Sequence, residues 1–147
     1  MADAGQEATF HFYKGAYGPT LLIQIYDQTQ LEGLKAIVRR VSEGDPAKIS
    51  LRKSGVVSTL DGVDDLLFVL DPKDKDPSRT VRKVGENANG CVFQFQRHRE
   101  GWLECSELLD GLTLPGHQYL SRGSSDEALV MVSYQENLTK NPLGKER

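Results

Sequence analysis

Apolar residues recur along this chain with two different periods. "TFHFY" (Thr9 to Tyr13) alternates, with Phe10 and Phe12 on one side, which is the period of a β-strand. "TLLIQIYD" alternates more strongly: Leu21, Ile23 and Ile25 share one face, and Leu22, Gln24 and Tyr26 share the other. The period then lengthens. Leu31, Leu34, Ile37, Val38 and Val41 form one stripe at helical steps, and Lys35, Arg39 and Arg40 lie off it. The spacing of Thr29 and Glu32 predicts a capping box at the start of this helix. Gly44 suits the left-handed position just past its end, and Pro46 forbids continuation. Gly33 weakens the helix interior by about 1 kcal/mol against Ala.

The middle of the chain returns to the shorter period. "AKISLRK" alternates, "DLLFVLDP" is a short apolar run ending at a proline, and "RTVRKV" and "CVFQFQR" flank the turn-rich "GENANG". Asn89-Gly90 is a hairpin signal, because both residues tolerate positive φ. The polar, Pro-punctuated "DPKDKDPS" predicts an exposed, mobile loop. A second helix is expected from about Glu100 to Leu112. Trp102, Cys105, Leu109 and Leu112 recur at steps of three and four, and Glu100, Glu104 and Glu107 occupy the opposite face. Pro115-Gly116 then turns the chain into "HQYLS", and "RGSSDE" links this to "ALVMVSYQ" as a closing hairpin. The expected fold is α+β: a mixed, mainly antiparallel sheet of about six to seven strands with two helices packed on one face. Residues 1–8 read as a frayed leader, 9–136 as one domain, and 137–147 as a flexible polar tail.

Composition narrows the role. A chain of 147 residues with 38% apolar and 27% charged residues can bury a core without disulfide staples. A net charge of −3 argues against general nucleic-acid binding, which needs a basic domain. "MADAGQEATF" has neither the basic start nor the apolar core of an export signal, and no apolar run is long enough to cross a bilayer. The expectation is a cytoplasmic protein without membrane contact. Cys91 and Cys105 then read as reduced thiols.

The sharpest enzyme reading pairs Cys105 as nucleophile with His117 as base, in a small hydrolase or transferase. Against it, Cys105 falls on the buried stripe of a helix crowded with acids, and nearby negative charge raises a thiol pKa. His11, His98 and His117 are scattered and lack a metal-ligand spacing, so neither metal nor cofactor is expected. No GxGxxG, Walker-type loop or GxSxG occurs.

Charge is unevenly distributed. Six acids stand against two lysines from Asp61 to Asp76, and four acids against no base from Glu100 to Asp110. Lys35 to Lys53 carries six bases against two acids. Solvated helix faces account for this pattern, and so does complementarity to a basic partner. On the second account Glu100, Glu104, Glu107, Asp110, Asp61, Asp64 and Asp65 form the acidic surface, with Tyr119 as an aromatic anchor.

The segments "TLLIQIYDQTQLEGLKAIV", "PSRTVRKV", "FQFQRHREGWLECSELLDGL", "PGHQYLS" and "DEALVMVSY" occur in this order. Together, over roughly Thr20 to Tyr134, they resemble the small immunity-type proteins of bacterial polymorphic toxin systems. The resemblance implies a non-enzymatic cytoplasmic protein that binds and neutralises a cognate toxin, with an acidic surface covering the toxin's active-site cleft. It brings no catalytic residue. A charge of −3 is modest for a mimic of nucleic-acid phosphates, which weakens the expectation of a nuclease target. A structural or regulatory interaction domain, self-associating through a strand edge, is the alternative.

Overall fold

The computed structural model describes residues 7–15, 18–73, 81–121 and 128–135. The expected polar tail lies outside these residues, as do most of the expected leader and most of the loop 71–78. The elements in chain order are β1 (Thr9–Gly15), β2 (Gly18–Ile25), α1 (Gln28–Glu43), β3 (Lys48–Ser50), α2 (Leu51–Ser54), β4 (Thr59–Asp61), β5 (Val63–Leu70), β6 (Val81–Asn87), β7 (Gly90–Arg97), α3 (Arg99–Asp110), β8 (Gly116–Tyr119) and β9 (Leu129–Tyr134).

The α+β class holds, but the strands divide between two mixed sheets. One has the order β4-β1-β2-β9-β8 and the other β3-β5-β7-β6. This corrects the single sheet of six to seven strands; the pairing remains mainly antiparallel, in β1–β2, β3–β5, β6–β7 and β8–β9. Three of the pairings are parallel: β1 with β4, β2 with β9, and β5 with β7. Each joins strands that are not consecutive, so the short links between elements concealed them. A physical sign of this was present in β2. Leu21, Leu22, Ile23 and Ile25 are all buried, the double-sided burial of a central strand with neighbours on both edges.

Three local expectations are also corrected. The cap of α1 is Asp27, whose carboxylate accepts from Gln30 N at 2.8 Å, while Gln30 Oε1 accepts from Tyr26 N at 2.8 Å. This is the reciprocal logic of a capping box set two residues earlier than Thr29 and Glu32. The segment 47–53 is only half strand. Ser50 caps α2 by accepting from Lys53 N at 3.1 Å, and this local bond turns the chain into a third, one-turn helix. The β6–β7 turn is Ala88-Asn89, closed by the pair Asn87 and Gly90, and Gly90 alone takes positive φ, at 129°. At the end of α1, Gly44 adopts the expected left-handed conformation, with φ 73°.

The main core lies between the sheets and the two longer helices. Phe10, Leu21, Ile23 and Ile25 of the five-stranded sheet, Leu34 and Val38 of α1, Phe68 and Phe95 of the four-stranded sheet and Trp102 of α3 belong to one buried cluster. Trp102 packs tilted against Phe95 and Phe68, with ring centroids 4.8 and 5.5 Å away. Its indole N–H donates to Val69 O at 2.9 Å, which settles the one polar atom this side chain buries. Tyr13, Leu22 and Met131 form a second, smaller cluster on the other side of the five-stranded sheet.

Candidate functional site

The helix α3 presents two faces. Trp102, Cys105 and Leu109 are buried, as their spacing requires. Glu100, Glu104, Glu107 and Asp110 are exposed. Leu103 is exposed among them at 40%. Positions 100, 103, 104 and 107 share one helical face, so a leucine stands inside a ring of three glutamates.

These acids are not equally free. Glu104 accepts from Arg97 Nη2 at 3.1 Å, and the Arg97 side chain is itself largely buried. The helix passes so closely over Arg97 that a Cβ at Gly101 would lie 2.5 Å from Arg97 Nε. Asp110 sits at the C-terminal end of α3, where the helix dipole disfavours a negative charge. Lys35 of α1 offsets it at 3.4 Å, and Lys35 lies equally close to Glu32. Glu100 stands 3.5 Å from His98 Nε2 and is 81% exposed, and its position in the first turn is electrostatically favourable. Glu107 extends into solvent with no ion-pair partner among the described residues.

The other acids named from sequence lie elsewhere. Asp65 is a buried cap: its carboxylate accepts from Ser50 Oγ, from Arg52 N at 2.9 Å and from Leu66 N at 2.8 Å. Asp64 is bound by the Arg52 guanidinium and by Asn87 Nδ2. Both belong to β5 and not to a loop. Asp61 and Tyr119 lie on opposite edge strands of the five-stranded sheet. The registers place Asp61, His11, Leu22, Met131 and Tyr119 in one row. At about 4.8 Å per strand the ends of that row are roughly 19 Å apart. The expected acidic surface is thus several separate groups, of which the α3 face is the coherent one.

Cys105 is not placed as an accessible nucleophile. The thiol is fully buried, and burial pushes its pKa up to about 11 although Arg97 pulls the other way. Arg97 Nη1 donates to Sγ at 3.4 Å, and Sγ itself donates to Leu120 O at 3.7 Å. A nucleophilic cysteine needs the opposite, an accessible thiolate. His117 lies on β8, edge-on to Tyr119 at 5.4 Å.

Two groupings were missed from sequence. The first is a hydrogen-bonded knot around His11. Its Nε2 lies 2.8 Å from Thr9 Oγ1 and 3.1 Å from Gln24 Oε1, and its Nδ1 lies 3.4 Å from Asp61 Oδ2. An Asp–His pair next to a hydroxyl invites comparison with a hydrolytic triad. The hydroxyl of Thr9 however donates to Gln24 Oε1 at 3.2 Å, so its proton is directed away from the imidazole. The group ties β1, β2 and β4 together. Only the parallel pairing of β1 with β4 brings Asp61 to His11, and no local spacing signals it. The second is a groove beside α1, treated below. Its cations were visible as the basic stretch from Lys35 to Lys53, but not their convergence.

Among the described residues, no group of three or more His, Cys, Asp or Glu is arranged to hold a metal ion, and no helix is long and apolar enough to cross a membrane. No protein-family model, curated protein or solved structure matches the chain.

Proposed function

We propose that this chain is a non-catalytic protein-binding domain of the immunity type, which docks the outer face of α3 onto a basic surface of a cognate toxin. The observation that carries this reading is Leu103, 40% exposed within the ring of Glu100, Glu104 and Glu107. An apolar anchor inside a polar rim is the anatomy of a protein interface. The carboxylates around it speed encounter with a basic partner and reject acidic ones. Glu100 and Glu107 supply most of that field, because Glu104 is engaged by Arg97. The buried, proton-holding Cys105 weighs against the alternative of a thiol nucleophile. The resemblance of "FQFQRHREGWLECSELLDGL" and its companion segments to immunity-type proteins points to a toxin as the partner.

Co-expression tests this role. The chain should restore growth to bacteria producing the toxin encoded beside its gene, and the Glu100→Lys, Glu104→Lys, Glu107→Lys triple variant should not. Failure to protect against any neighbouring gene product, or equal protection by the triple variant, overturns the proposal.

A further inference from the structure

A groove of about 700 Å³ runs between α1 and the edge strand β3. Ile37, Ile49 and Leu67 supply apolar lining, and Arg40, Lys48 and Lys53 stand on its walls. These three cations come from three different elements, α1, β3 and α2. Lys48 and Lys53 have no ion-pair partner among the described residues. Arg40 spends only its Nε, on Asp45 O at 3.3 Å. The one acid in the lining, Asp65, is consumed by Ser50, Arg52 and Leu66. Those donors are neutral, so Asp65 keeps its charge, and three cations against one carboxylate leave the groove net positive over an apolar floor.

The backbone adds a second feature. β3 ends the four-stranded sheet and pairs with β5 alone among the described residues. Leu70 N donates to Ala47 O at 2.8 Å, and Lys48 lies opposite Val69 in the register. Antiparallel bonding alternates from residue to residue. Ile49 is therefore turned toward β5, and the N–H and C=O of Lys48 face the open edge. A charged residue on an edge strand often serves only to discourage aggregation. That role does not explain an apolar groove beside the edge, or cations converging on it from two other elements.

We propose that this groove receives an acidic, extended peptide segment of a partner protein, which adds to the open edge of β3 as a further strand. Main-chain bonds to Lys48 supply affinity. By the register, Lys48 and Leu67 share one face of the sheet and Ile49 lies on the other, so alternate side chains of the segment divide between these faces, with carboxylates on the Lys48 side and apolar groups on the Ile49 side. This surface is opposite in charge to the α3 face and does not depend on the role proposed for that face.

The test is a titration of the isotope-labelled protein with three probes, followed by backbone amide resonances: a blocked peptide alternating Glu and Val, the same peptide with Lys for Glu, and a short oligothymidine. The Glu–Val peptide should shift the amides of Lys48 to Ser50 and of α1 near Ile37 and Arg40, more strongly at low salt. Lys48→Glu with Lys53→Glu should weaken it by about tenfold or more and bring the Lys–Val peptide into the groove. Both lysines are exposed, so the double variant retains the fold and its own spectrum verifies this. Absence of binding, shifts confined to other elements, or equal binding of the Lys–Val peptide to the unmodified protein overturns the proposal. So does preferential binding of the oligothymidine along the same rim, which assigns the cations to phosphate instead.

Discussion

α1 and α3 both pack one apolar stripe into the same core, but they are secured by different means. α1 is closed at both ends by its own sequence: Asp27 accepts from Gln30 N, Gln30 Oε1 accepts from Tyr26 N just ahead of the cap, and the Gly44 N–H returns to Arg40 O and Val41 O. α3 has no side-chain cap at His98 and no basic residue in its last turn. Tertiary contacts compensate: Trp102 between Phe68 and Phe95, Arg97 beneath Gly101, and Lys35 against Asp110. The contrast shows how α3 can turn acids and a leucine outward. Its position is set from below, which leaves Glu100, Leu103 and Glu107 turned to solvent.

The largest effect should come from removing the contact that fixes α3. Trp102→Ala should cost about 3–5 kcal/mol in denaturant unfolding, the range for deleting a buried large aromatic. A smaller loss denies that α3 depends on tertiary packing. High pH should also weaken this side of the helix. The Cys105 thiol titrates at about 11 in the folded protein against 9.0 for the free group, so the unfolded chain loses its proton first. Stability from this group is complete below pH 9 and is lost as pH rises from 9 to 11, by roughly 2–3 kcal/mol. Unfolding measured across that window should lose this part of its slope in Cys105→Ser, and the thiol should react with alkylating reagents only on unfolding.

Gly101→Ala sharpens the comparison further. Alanine is the better helix former by about 1 kcal/mol, yet here its Cβ meets Arg97 Nε at 2.5 Å. The net effect should be destabilising by about 1–2 kcal/mol. The same change in an Arg97→Ala background should be neutral or stabilising, a coupling that a double-mutant cycle measures. The smallest effect belongs to α1. Asp27→Ala should cost about 1 kcal/mol, and Thr29→Ala less than half of that, because Thr29 does not hold the cap.

Both helical stripes, the β2 alternation, the Gly44 stop and the closing β8–β9 hairpin were readable from the sequence. They rest on periods and turn chemistry that act over a few residues. The split into two sheets was not readable, because β2–β9 and β5–β7 pair across long stretches of chain with no local trace. The two faces of α3 were visible from spacing. The exposure of Leu103 follows from the same spacing, because position 103 lies on the helical face of Glu100, Glu104 and Glu107. Asp61, Asp64 and Asp65 looked alike as solvated acids. Only the fold assigns them to His11, Arg52 and the α2 cap.

The central claim is that the outer face of α3 recognises a basic partner. Its most direct test is a titration of the protein encoded beside this gene with the wild type and with Glu100→Lys, Glu107→Lys. This pair of substitutions leaves the Arg97–Glu104 contact intact and should change stability by no more than about 1 kcal/mol. Binding should weaken by about a hundredfold or more, with an unchanged melting transition of the double variant as the control. Equal affinity of the two proteins for that partner contradicts the account.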